Sequence, residues 1–92
     1  MLKIEFYVQF KKDLKRAIAR GLDENLLRAV IVLLANEEKL PAKYRDHQLT
    51  TSRKYRAMRE CHIQPDWLLI YCVDREKLIL VLVRTGTHSD LF

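Results

Sequence analysis

Ninety-two residues make one small domain, residues 1–92, and a hydrophobic content of 49% beside 32% charged residues supplies a core and a soluble surface. No apolar run is long enough to span a bilayer, and the interleaved charges of Met1–Phe6 argue against a signal peptide. Seventeen basic residues against twelve acidic ones leave a net charge of +5, which favours an acidic partner such as RNA, DNA, an anionic membrane or an acidic protein.

In chain order, Leu2–Tyr7 alternates, with Leu2, Ile4 and Phe6 on one side and Lys3, Glu5 and Tyr7 on the other, the pattern of a half-buried strand. The period changes at Val8. Phe10, Leu14, Ala17 and Ile18 then share a helical face, with Lys11, Lys12, Lys15 and Arg16 around the rest, and Gly21 supplies a C-terminal stop. Asp23 is placed to cap a second helix, whose broad apolar face runs from Leu26 to Leu34 and ends before Pro41. Residues 42–52 form a polar connection carrying Lys43, Arg45, Asp46 and His47. A strand is expected over Arg53–His62, a turn at Gln64-Pro65, and central strands over Trp67–Val73 and Leu78–Val83, joined by the charged turn Asp74–Lys77. Gly86 breaks the last strand, leaving Thr87–Phe92 as a short tail. Cys61 and Cys72 both lie in expected strands among apolar neighbours, as buried free thiols do in a reducing cytosol, and a cytoplasmic location is expected.

The fold expected is therefore α+β, in the order β-α-α-β-β-β, with a four-stranded antiparallel sheet and an N-terminal helical hairpin packed on one face. The opposite face is left exposed or functional. His62 and Asp66 flank one tight turn, and in a meander the end of the 78–83 strand lies at the same edge, which brings Arg84 and His88 near them. His47, in the preceding connection, is within reach. Gaps of 15 and 26 residues between the histidines lack the compact spacing of a zinc motif, so neither a metal nor another cofactor is expected. Metal-free RNA cleavage suits the set, since it needs a base for the 2′-hydroxyl, a cation for the phosphate and an acid for the 5′-oxygen. Histidine serves either proton role, and arginine offers a planar fork to phosphate. Tyr55, Trp67 and Phe92 are candidates to stack on bases, although Trp67 suits a core better.

Three blocks carry a resemblance: Tyr44-Arg45-Asp46-His47-Gln48-Leu49; Arg59-Glu60-Cys61-His62-Ile63-Gln64-Pro65-Asp66-Trp67-Leu68-Leu69-Ile70-Tyr71; and Arg84-Thr85-Gly86-Thr87-His88-Ser89-Asp90-Leu91-Phe92. In content and order they resemble the YafQ branch of the RelE toxin superfamily along essentially the whole chain. The resemblance implies a toxin of a type II toxin–antitoxin pair that cuts mRNA in the ribosomal A site and is neutralised by an antitoxin of the DinJ/RelB kind. It implies catalytic roles for His47, His62, Asp66 and His88, with Phe92 orienting substrate. His88 is expected to protonate the leaving oxygen, Asp66 or His62 to take the 2′-proton, and His47 and Arg84 to steady the phosphate. Arg59 and Lys54 complete the expected substrate contacts. The stretch Thr50–Met58 departs from the family pattern, being longer and lacking its glycine. Two other readings belong to the same fold: a ParE-like gyrase inhibitor and a small RNA-binding protein without catalysis. Neither has need of the histidine–aspartate set.

Overall fold

The computed structural model describes all 92 residues. Strand β1 (Lys3–Phe6) leads into helices α1 (Val8–Ala19) and α2 (Glu24–Ala35), and one 3-10 turn follows at Ala42–Tyr44. Then come β2 (His47–Gln48), β3 (Arg59–Gln64), β4 (Trp67–Asp74), β5 (Ile79–Gly86) and a one-turn helix, α3 (His88–Leu91).

Local chemistry sets the helix ends. Gly21 adopts φ +89, which an L side chain resists, and its amide and that of Leu22 reach back to the carbonyls of Ile18 and Ala17 at 2.9 and 3.1 Å. The Asp23 carboxylate accepts the Asn25 amide at 2.9 Å and opens α2. Leu27, Val30 and Leu34 of α2, with Phe10 and Ala17 of α1, form the buried helical face. They pack on Cys61, Leu69, Tyr71, Leu80 and Leu82 of the sheet. No helix is long and apolar enough to cross a membrane.

The α+β class holds, but the expected four-stranded antiparallel sheet is corrected in two respects. The sheet has five strands in the order β1-β5-β4-β3-β2. β1 runs parallel to β5, from Lys3 opposite Ile79 to Phe6 opposite Leu82, so the sheet is mixed. Alternation of side chains reports which residues share a face and is blind to strand direction. β2, at two residues, is too short to show a period. The strand expected from Arg53 begins instead at Arg59, because residues 50–58 turn back over the sheet. Ala57 sits at φ 61 within that turn, in the left-handed region that favours glycine.

The face away from the helices has a core of its own. Tyr55, Leu68, Ile70, Val83 and Leu91 are buried together, with Leu49 and Met58 against them. The 49–58 segment and α3 thus cover its centre, and polar residues are left at the rim.

Candidate active site

Strand register assembles the first half of the site. His47 stands opposite Glu60 in the β2–β3 pair, and His62 stands opposite Leu68 in the β3–β4 pair. Successive strand residues alternate faces, so Glu60 and His62 share the face of Leu68 and Ile70. Glu60 is 6% exposed, and its Oε1 lies 3.3 Å from His62 Nε2 and 3.6 Å from His47 Nε2. The other ring nitrogens reach backbone carbonyls: His62 Nδ1 is 3.2 Å from Pro65 O and His47 Nδ1 is 2.7 Å from Arg45 O. Both nitrogens of both rings therefore face oxygen acceptors. Sequence reasoning passed over Glu60, although its spacing of two from His62 in an alternating strand is the signal that joins them.

A bulge supplies the second half. Plain alternation would send Arg84 to the helix side after Leu80 and Leu82. Between Ile70 and Tyr71 the β4–β5 register shifts, so that Tyr71 faces Leu82 while Ile70 faces Arg84. Re-aiming a side chain is what a bulge does, and this one puts Arg84 on the face of Glu60. Two strand spacings separate the two backbones, or roughly 10 Å. Arg84 is then held by Asp13 of α1. The Asp13 carboxylate accepts from Arg84 Nε at 2.7 Å, Arg84 Nη2 at 3.1 Å, the Thr85 amide at 3.1 Å and Gln9 Nε2 at 3.1 Å. The last β1–β5 bond is Tyr7 N–H to Leu82 O, so beyond it Asp13 takes the ladder amide that β1 no longer meets. One edge of the guanidinium is thereby committed, and Nη1 points towards the Tyr55 hydroxyl at 3.5 Å. The hydrogen bond to Asp13 raises the Arg84 pKa above its ordinary value. Asp13 also escaped the sequence reading. Its spacing of three from Phe10 and four from Ala17, an acid on an apolar stripe, is the mark it leaves.

The tail expected at Thr87–Phe92 is the helix α3. Thr87 and Asp90 form a reciprocal capping box. Gly86 has φ +156, and a Cβ there would meet the Asp90 carboxylate at 2.9 Å, so this position admits only glycine. Arg20 donates to both Asp90 oxygens at 2.7 and 3.3 Å. That bond first, and the Thr87 amide second, hold the Asp90 carboxyl well below the usual carboxylate range. The far end is tied down by the Tyr55 hydroxyl, which donates to Leu91 O at 2.7 Å, and by Lys54 Nζ at 3.4 Å from the same oxygen. His88 and Phe92, both exposed and one turn apart, stack at 4.8 Å, and Phe92 meets the edge of Tyr55 at 5.3 Å.

The structure thus gathers His47, His62, Arg84, His88, Phe92 and Lys54 around one face. Two further expected site residues, Asp66 and Arg59, are placed differently. Asp66 is exposed in the β3–β4 turn and opens into a groove of about 440 Å³ beside Arg16, Arg20, Thr87 and Asp90. His62 opens into a separate groove with Lys43, Tyr44 and Arg45. Arg59 stands opposite Tyr71 on the helix side of the sheet, and its guanidinium donates to Asp46 at 3.1 and 3.3 Å.

Residues 2–92 match the family described as bacterial toxin of type II toxin-antitoxin system, YafQ. The mRNA interferase toxin YafQ of Escherichia coli strain B / BL21-DE3 is 43% identical over 90 residues, which cover 97% of this chain and 94% of the relative. A metal-bound toxin from Helicobacter pylori is 44% identical and superposes with a TM-score of 0.93 over the whole of both chains. The E. coli DinJ-YafQ complex matches at 43% identity and a TM-score of 0.87, covering 100% of this chain and 99% of that one. Matched along nearly its whole length in sequence and in fold, the chain belongs to the YafQ family of bacterial toxins of type II toxin–antitoxin systems.

Proposed function

We propose that this toxin is a ribosome-dependent endoribonuclease that cuts mRNA in the A site, a reading supported by its E. coli relatives, which are named mRNA interferase toxins. The observation that carries this reading is a buried carboxylate, Glu60, flanked by two histidines on the face that also bears Arg84 and His88.

The chemistry follows from what each group faces. Glu60 takes the proton of the 2′-hydroxyl, and the freed oxygen attacks the adjacent phosphorus. His47 and His62 hold the Glu60 carboxylate from either side through Nε2 and line the place where the phosphate lies. Arg84 adds the edge of its fork that Asp13 leaves free. His88, exposed on α3, gives a proton to the 5′-oxygen as its bond to phosphorus breaks, leaving a 2′,3′-cyclic phosphate and a 5′-hydroxyl. Phe92 stacks on a base, and Lys54 stands at the same rim. Glu60 here takes the role expected of Asp66 or His62. Its burial on the histidine face supports that choice, while Asp66 opens beside Arg16 and Arg20.

The H. pylori relative was solved with metal bound. The steps above run on side chains alone. Lys11, Lys12 and Lys15 on the exposed side of α1 are the contacts for ribosomal RNA, with binding that weakens as salt rises. An antitoxin resembling DinJ, the partner in the E. coli complexes, covers this surface. Work on ribosomes places the protein in the cytoplasm.

The test mixes purified toxin with mRNA-programmed ribosomes and, separately, with naked mRNA, beside His88→Ala and Glu60→Gln. Cuts are expected only on ribosomes, with each variant slowed by about 10²–10⁴-fold, the usual worth of one acid or base. Undiminished cutting by either folded variant would overturn that residue's role. No cuts at all by folded wild type would overturn the nuclease reading and make gyrase inhibition the next assay.

A further inference from the structure

We propose that Arg59 is a positioning residue: with Asp46 and Tyr71 it forms a clamp on the reverse of the sheet that sets His47 against Glu60. The proposal rests on the nuclease reading for its activity arm only.

The clamp and the site are back to back. Asp46 precedes His47, and Arg59 precedes Glu60. Neighbouring strand residues point to opposite faces, so the pair that faces the substrate and the pair that faces the helices are borne by the same stretches of backbone. On the reverse side Arg59 donates to both Asp46 oxygens, and the Tyr71 hydroxyl donates to Asp46 Oδ1. Tyr71 is 2% exposed and belongs to the main core, so the clamp ends in the rigid part of the molecule. Asp46 raises the Arg59 pKa through its hydrogen bond, as expected of a lasting pair.

Beyond its ring contacts to Arg45 O and Glu60, His47 has little else to hold it. β2 is two residues long, the residue before Asp46 has φ 48, and the His47 side chain is 50% exposed. Fixing the backbone on either side of Asp46 through a bidentate ion pair is therefore the main restraint on the backbone that carries the imidazole. A phosphate ligand would need a free fork on the histidine face, and the Arg59 fork is spent on the other one.

Opposite charge changes separate the two roles. Asp46→Asn adds one positive charge and Arg59→Gln removes one. If Arg59 binds phosphate, only Arg59→Gln should harm the reaction, and through weaker binding. If it positions His47, both should lower the cleavage rate at saturating toxin by about tenfold, in line with the cost of a small misplacement, with half-saturation unchanged. Tyr71→Phe, which removes one hydroxyl, is a gentler variant and should act in the same direction with less loss. Histidine ring-nitrogen NMR signals, read on the same proteins, need no activity: those of His47 should move in all three variants while those of His88 stay. Wild-type turnover in Asp46→Asn, or unmoved His47 signals, would overturn the clamp. If wild type does not cut RNA, the nuclease reading fails and the ring signals alone decide the clamp.

Discussion

Asp13→Ala is expected to be among the most damaging single changes outside the apolar core. The carboxylate is 1% exposed and its partner Arg84 is 16% exposed, so the pair lies almost wholly out of water. Its loss strands a guanidinium that donates two of its hydrogen bonds to Asp13, and it orphans the buried Thr85 amide. Breaking a buried pair by removing one partner costs about 3–5 kcal/mol, a loss that includes the unmet Thr85 amide, worth about 1–3 kcal/mol by itself. Alanine returns roughly 0.5 kcal/mol through better helix propensity. A net loss of about 3 kcal/mol would lower Tm by at least roughly 12 °C for a domain of this size. Asp13→Asn keeps an acceptor for the Thr85 amide but turns an amide group or a neutral oxygen towards Arg84, and it should lose about half as much. Thermal and urea unfolding of the two variants beside Arg84→Met provide the check. The double variant Asp13→Ala/Arg84→Met should be more stable than the sum of single losses implies, by about 2 kcal/mol, because neither charge is then left alone. A melt within about 2 °C of wild type for Asp13→Ala, or strict additivity with Arg84→Met, would refute the buried-pair reasoning.

Acid should release α3 before it unfolds the core. The Asp90 carboxyl is held below the usual range by Arg20, so its contribution is full above about pH 4, the ordinary aspartate value, and is lost as pH falls towards its lowered native one. Amide NMR signals of Leu91 and Phe92 should follow that titration, and Asp90→Asn should abolish it. Cys61, fully buried and with its thiol pushed up to about 12 by burial, should resist iodoacetamide in the native protein at pH 8. Cys72, half-buried and raised by burial to a lesser degree, should react slowly, and mass spectrometry should find both modified only after unfolding. Ala57→Gly should stabilise the fold by about 0.5–1 kcal/mol, since relief of the left-handed backbone at φ 61 outweighs the added freedom of the unfolded chain. Urea unfolding with no gain, or a loss, would show that Ala57 is unstrained.

Much of this was legible in the chain itself. The helices, the stop at Gly21 and the start at Asp23, and the buried central strands follow from period and local capping, because those forces act within a few residues. The face shared by Glu60 and His62 was equally readable from a spacing of two. The order of three motifs between Tyr44 and Phe92 carried the family. Other features depend on which elements meet, and no local pattern records that. The parallel sense of β1 is fixed by the strand it finds beside it, not by its own alternation. Arg84 reaches the histidine face only because a bulge breaks the period that would have sent it to the helices. Asp13 looks like one more charge on a basic helix until β1 ends short and exposes the β5 edge that its carboxylate closes. Arg59 looks like a free cation until the sheet turns it away from Glu60 and towards Asp46 and Tyr71. In each case the deciding partner is distant in sequence, or a single irregular residue shifts the register, and only the folded chain brings it into contact.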